Sequence, residues 1–196
     1  MFSKFHSAMG QIAGLVSLLA FVPYVFAIRR GETKPNRSSW FIWTVVGSLL
    51  LVSYRTSGAN YTIWVPVIYV LGPLFVFLLS IKHGVGGWTK IEQFCLIGTT
   101  VSLILWWHFK SSEIALGINL FIDFFGAIPT IKKAYYRPLE ENRLAWFLIF
   151  IGNVLNMFAV ESIQLWIMVY PSYMFITSLI IFVFVMRPYL VTRWQQ

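Results

Sequence analysis

One carboxylic acid stands deep inside an apolar run: Asp123, between Ile122 and Phe124. Burying an aspartate in a bilayer costs about 2.5–3.5 kcal/mol on the insertion scale, so it should face the interior of a bundle. There it is a candidate proton carrier or substrate contact. Asn119 precedes it by one helical turn and shares its face. A second apolar run carries Asn153 and Asn156 on adjoining faces, and an earlier one carries Trp43 and Ser48. An aromatic wall with a few convergent polar groups is the usual make-up of a small-molecule site. These six residues are the candidate substrate-binding set, lining a cavity at the bilayer midplane. The structural alternative is a carboxyl bonded to a neighbour such as Ser17, with asparagines that join helices.

Other chemistries lack their residues. His6, His83 and His108 are scattered, with no metal-binding spacing, and Cys95 is the single cysteine. No GxSxG elbow or phosphate-binding glycine loop occurs; Gly84-Val85-Gly86-Gly87 reads as a short connection. The last apolar run has no lysine for a retinal Schiff base. The expectation is a protein that is not an enzyme and holds no cofactor or metal.

Composition says what must position those groups. The 196 residues are 58% hydrophobic, 18% aromatic and 11% charged, with a mean hydropathy of +0.73. A soluble domain carries about 25% charged residues. Too few polar groups are present to cover a globular surface, which leaves an all-α membrane protein. Runs long enough to span, about 20 residues each, fall near 9–28, 38–55, 61–81, 91–109, 112–132, 144–160 and 163–186. Only Glu161, Ser162 and Gln164 break the last two apart. A single helix over both would be far too long for a bilayer, so a turn is expected there.

Charge orients the seven predicted helices. With the N-terminus outside, the alternate gaps place 12 Lys and Arg inside, including Arg29, Arg30, Lys132 and Lys133, against Lys4, Arg55 and Lys110 outside. That asymmetry is the positive-inside pattern. It also accounts for the net charge of +8 without nucleic acid, which would need a gathered basic face. The first run has its basic flank after it, the reverse of a secretory signal, and is expected to remain.

The chain also resembles itself. At a spacing of 106, Pro23 falls on Pro129, Asn36 on Asn142, Arg37 on Arg143, Trp40 on Trp146 and Phe41 on Phe147. A shift to 105 aligns Pro66 with Pro171 and Lys82 with Arg187. This predicts a three-helix repeat over 1–86, a linker helix over 87–111 and a second repeat over 112–196. An odd number of helices per copy, plus one spacer, makes the copies parallel. Taken singly, the asparagines suit helix N-caps, while the arginines and tryptophans suit headgroup contacts and interfacial anchors. Gly10 and Gly14 form a GxxxG pair, which serves internal packing or a homo-oligomer equally well.

A 3+1+3 layout with the N-terminus out, the C-terminus in, and a proline in the first helix of each repeat before a basic loop resembles the PQ-loop superfamily. That group includes the SWEET sugar transporters, cystinosin-type exporters and the KDEL receptor; PnuC vitamin transporters are more distant. The signature Pro-Gln is replaced here by Pro23-Tyr24 and Pro129-Thr130. The third helix of each repeat offers Tyr69, Tyr173, Thr177 and Ser178 where the sugar transporters tend to place asparagine, which argues against a sugar. The resemblance implies alternating access between the repeats, with Pro23 and Pro129 as hinges; the alternative for those prolines is a static kink. The expected protein is a multi-pass transporter in the cell membrane, with a small solute, membrane lipids and a proton as candidate partners. A receptor or sorting protein that binds its ligand on the same scaffold is the alternative.

Overall fold

The computed structural model describes residues 2–35, 37–85, 90–109 and 111–191. Asn36, Gly86, Gly87, Lys110 and Arg193, and the side chains of Pro129 and Cys95, lie outside the described residues. Within them the chain is helical: α1 (Phe2–Arg29), α2 (Arg37–Thr56), α3 (Trp64–His83), α4 (Lys90–Phe109), α5 (Ser112–Tyr136), α6 (Arg143–Phe158) and α7 (Leu165–Val191). Short 3-10 turns occupy Tyr61–Ile63 and Pro138–Glu140. The elements follow the seven expected runs, with α1 beginning several residues earlier and α7 ending later.

Four of these helices, over Ser3–Arg29, Tyr61–His83, Ser112–Tyr136 and Leu165–Leu190, are long and apolar enough to cross a membrane. Arg143–Phe158 is a shorter apolar helix. Large apolar side chains such as Leu15, Leu78, Ile97 and Trp107 lie exposed on the outside. A surface of this kind is stable against lipid, and a helix satisfies its own backbone groups there.

The helix ends follow local chemistry. Asn142 caps α6, its Oδ1 accepting from Ala145 N at 3.0 Å, as its residue type predicts. Ser111 caps α5 through Ile114 N. Arg37 does more than meet headgroups. Its guanidinium donates to the carbonyls of Ser80 and Gly84, both at 3.0 Å, closing the end of α3. Orphan carbonyls at a helix C-terminus attract such a cation. Arg143 stacks over Tyr189, 4.8 Å from its ring.

Two long seams organise the packing. Helix α1 lies along α6, and α2 lies along α5. Helix α3 packs against both α1 and α2, while α7 packs against both α5 and α6. Helix α4 contacts α5 and α2. The stripe Ile42, Val46, Leu50 and Tyr54 buries one face of α2 against Leu116 and Leu120 of α5 and Tyr170 of α7. In lipid, such seams gain little from leaving water; close contact and hydrogen bonds hold them. Glycine permits that contact. A methyl group at Gly152 of α6 would strike the Ser17 hydroxyl of α1. Gly10 and Gly14 face the Tyr61 carbonyl and the Trp64 side chain, so the GxxxG pair is used inside this chain.

Candidate functional site

A cavity of about 120 Å³ lies at the centre of the bundle, with wall residues from α1, α2, α3, α5, α6 and α7. Its aromatic side is continuous: Phe21 and Trp40 rings meet at 6.4 Å, and Trp40 meets Trp43 edge-on at 5.1 Å. Tyr69, Trp146 and Tyr170 add further rings. Asp123 interrupts this wall. Its Oδ2 accepts a 2.6 Å hydrogen bond from the Tyr173 hydroxyl. The partner is therefore Tyr173 on α7 rather than Ser17, which is buried on α1 against Gly152. Asn153 is also on the wall and donates through Nδ2 to the Tyr69 hydroxyl at 3.0 Å. The carbonyl oxygen of that amide is buried without a hydrogen-bond partner among the described residues.

Of the six candidate binding residues, Asp123, Asn153 and Trp43 line the cavity; Asn119, Asn156 and Ser48 are not on its wall. Asn119 and Asn156 are buried, with amide atoms that find no partner among the described residues. The Ser48 hydroxyl is spent on the Thr44 carbonyl at 2.7 Å, one turn back. Thr44 in turn bonds the Trp40 carbonyl at 2.8 Å. Such back-bonding satisfies a hydroxyl within its own helix. Pro23 is half-buried in α1 and is not a wall residue.

The two ends of the cavity differ. At one end Tyr170 stacks on Tyr54 with ring centres 4.8 Å apart. The buried Tyr54 hydroxyl donates to the Ile167 carbonyl at 2.7 Å and meets Thr62 Oγ1 at 2.8 Å. Just beyond, Glu161 accepts from the backbone N–H of Asn60 at 2.7 Å. Glu161 therefore does more than break the apolar run, since the same oxygen also accepts from the Tyr61 N–H. These contacts tie α2, the Tyr61–Ile63 turn and the start of α7 together.

At the other end a wider vestibule of about 510 Å³ opens between the loops after α1 and α5. Trp40, Trp43 and Trp146 line both spaces and stand between them. Trp146 is fixed by its indole N–H, which donates to Glu141 at 2.9 Å. Glu141 is itself paired with Lys133 at 2.9 Å, and its side chain is 4% exposed. Trp40 and Trp146, both half-buried, thus line the cavity and the vestibule, a role the interfacial-anchor reading of their sequence position did not include. Their recurrence at one spacing was the signal available. Glu141 and Lys133 carried none, because a loop carboxylate and a helix-end lysine look like ordinary solvated charge.

No family model, curated protein or solved structure matches this chain.

Proposed function

We propose that the protein is a small-solute membrane transporter of PQ-loop type, working by alternating access between two parallel three-helix repeats. One observation carries this reading: positions related by the internal repeat meet around the cavity. At a spacing of 106, Phe21 pairs with Ala127, Trp40 with Trp146, Trp43 with Ile149 and Gly47 with Asn153; all eight are wall residues. At 105, Tyr69 pairs with Met174 and Pro73 with Ser178, again on the wall. The vestibule adds Tyr24 with Thr130, Lys34 with Glu140 and Pro35 with Glu141.

The packing supports the same symmetry. Exchanging α1, α2 and α3 for α5, α6 and α7 turns the α1–α6 seam into the α5–α2 seam and sets α7 where α3 stood. A pseudo-two-fold axis along the membrane normal passes through a space of this kind. A cavity on that axis is bounded by both halves, so rocking one against the other exposes it to either side. The positive-inside charges put the vestibule on the cytoplasmic side and the Tyr54 end outside. The arrangement is an inward-directed one. Pro23 and Pro129 are the proposed hinges, and Asp123 the proposed site of proton coupling.

Counterflow in liposomes tests the reading, with solutes first ranked by thermal stabilisation of the purified protein. A transporter preloaded with unlabelled solute accumulates labelled solute transiently. Stabilisation without counterflow supports instead a receptor using the same cavity.

A further inference from the structure

We propose that the central cavity takes a small organic cation that also carries a hydrogen-bond donor, an alkylammonium ion or an ammonium alcohol of choline size. This rests on the transport reading only in taking the cavity as the place where the solute binds.

Charge is the first ground. Asp123 is the acid among the described wall residues, which include no lysine, arginine or histidine. The cationic groups of the vestibule stand beyond the three tryptophans, where Lys133 is engaged by Glu141. Tyr173 occupies one carboxylate oxygen of Asp123, and the second is left for a ligand. An anion entering this space would meet a carboxylate and no counter-charge; a cation supplies the charge that is missing.

The rings are the second ground. A cation is attracted to the negative faces of tryptophan and tyrosine, most strongly where water is excluded, and cages of such rings recognise ammonium groups. Trp40, Trp43, Trp146, Tyr69 and Tyr170 line the same small chamber as the acid. A purely apolar solute would be served as well by leucine and isoleucine, whose quadrupole is negligible.

Hydrogen bonding and size narrow the class. The unpartnered carbonyl oxygen of Asn153 is an acceptor on a wall residue, and a buried acceptor is costly until a donor reaches it. A ligand N–H or O–H meets that need. The volume of about 120 Å³ lies just below the roughly 150 Å³ of an apolar cavity that accepts benzene. Such a space holds a molecule of about six or seven heavy atoms.

Melting of the purified full-length protein, read against four probes at matched ionic strength, tests the inference. The probes are choline, butylammonium, the uncharged choline isostere 3,3-dimethylbutan-1-ol and the anion 3,3-dimethylbutanoate. Either cation should raise the melting temperature, with the isostere and the anion about tenfold weaker or more. Asp123→Asn should remove the cation's effect in protein that still elutes as a single species. Equal stabilisation by isostere and choline, or none by either cation, overturns the inference on wild-type protein alone. Choline binding without counterflow of labelled choline leaves the cation site standing and removes the transport reading. Counterflow of a neutral or anionic solute without cation binding does the reverse.

Discussion

The Tyr173 hydroxyl holds Asp123 across 2.6 Å, so the acid that α5 contributes to the cavity wall is positioned by α7. The two helices share a packing seam, and a shift of one against the other must stretch or break this bond. If Asp123 carries the coupled proton and also pairs with the cationic solute, Asp123→Asn abolishes uptake driven by a pH gradient and lowers solute exchange with it. Reconstituted vesicles with and without the gradient measure both. Full proton dependence in the variant removes Asp123 from that role.

Tyr173→Phe deletes the donor and leaves the carboxyl in place. Loss of one partner of a buried polar pair costs about 1–3 kcal/mol. At roughly 2–4 °C per kcal/mol for a chain of this size, melting should fall by several degrees. An unchanged melting temperature means the bond contributes nothing to the folded state.

Glu141 is sequestered between Lys133 and Trp146. Removing one partner of a buried ion pair costs about 3–5 kcal/mol, because the other charge stays behind. Lys133→Met should therefore destabilise strongly, and adding Glu141→Gln should restore part of the loss. A double-mutant cycle in detergent unfolding measures the coupling. Additive losses would show that the pair acts as two solvated charges.

Tyr54 stacks on the wall residue Tyr170 at the end of α2 away from the vestibule. In a Cys95→Ser background, Leu50→Cys on the cavity wall should react with an impermeant thiol reagent from the vestibule side only. Adding Tyr54→Phe removes two hydrogen bonds and should increase labelling from the other side by severalfold, on the order of the tenfold that corresponds to 1.4 kcal/mol. Equal labelling from both sides before that change contradicts a closed end.

Gly10 and Gly14 separate packing within the chain from packing between chains. A side chain at Gly10 collides with the Tyr61 backbone, which cannot swing aside as a flexible tip would. Gly10→Val should reduce folded yield and melting temperature together. A change in oligomeric state at unchanged melting temperature would assign the motif to a dimer instead.

Much of the architecture was legible because lipid imposes a simple grammar. Apolar runs near span length, basic gaps and a turn at residues 161–164 mark helix ends without reference to neighbours. The N-cap at Asn142 was equally local, since a side-chain oxygen three residues before a free N–H needs no tertiary partner. Asp123 announced itself because an acid in an apolar run has few affordable environments. Arg37 was read only as a charge near a headgroup, and its bonds to the end of α3 span more than forty residues of chain.

The sequence by itself determined where the apolar runs lie and where basic gaps break them, which residues are polar inside them, and that one segment recurs at a fixed spacing. These follow from local energetics and from one-dimensional pattern. Only the tertiary structure decided which polar groups share a space. Asn153 reaches the cavity while Asn156, less than one turn further along α6, does not. Tyr173 rather than Ser17 meets the acid, and the paired tryptophans turn inward to separate cavity from vestibule. Each of those outcomes depends on the rotation of one helix against another, and that rotation is set by close packing among distant residues.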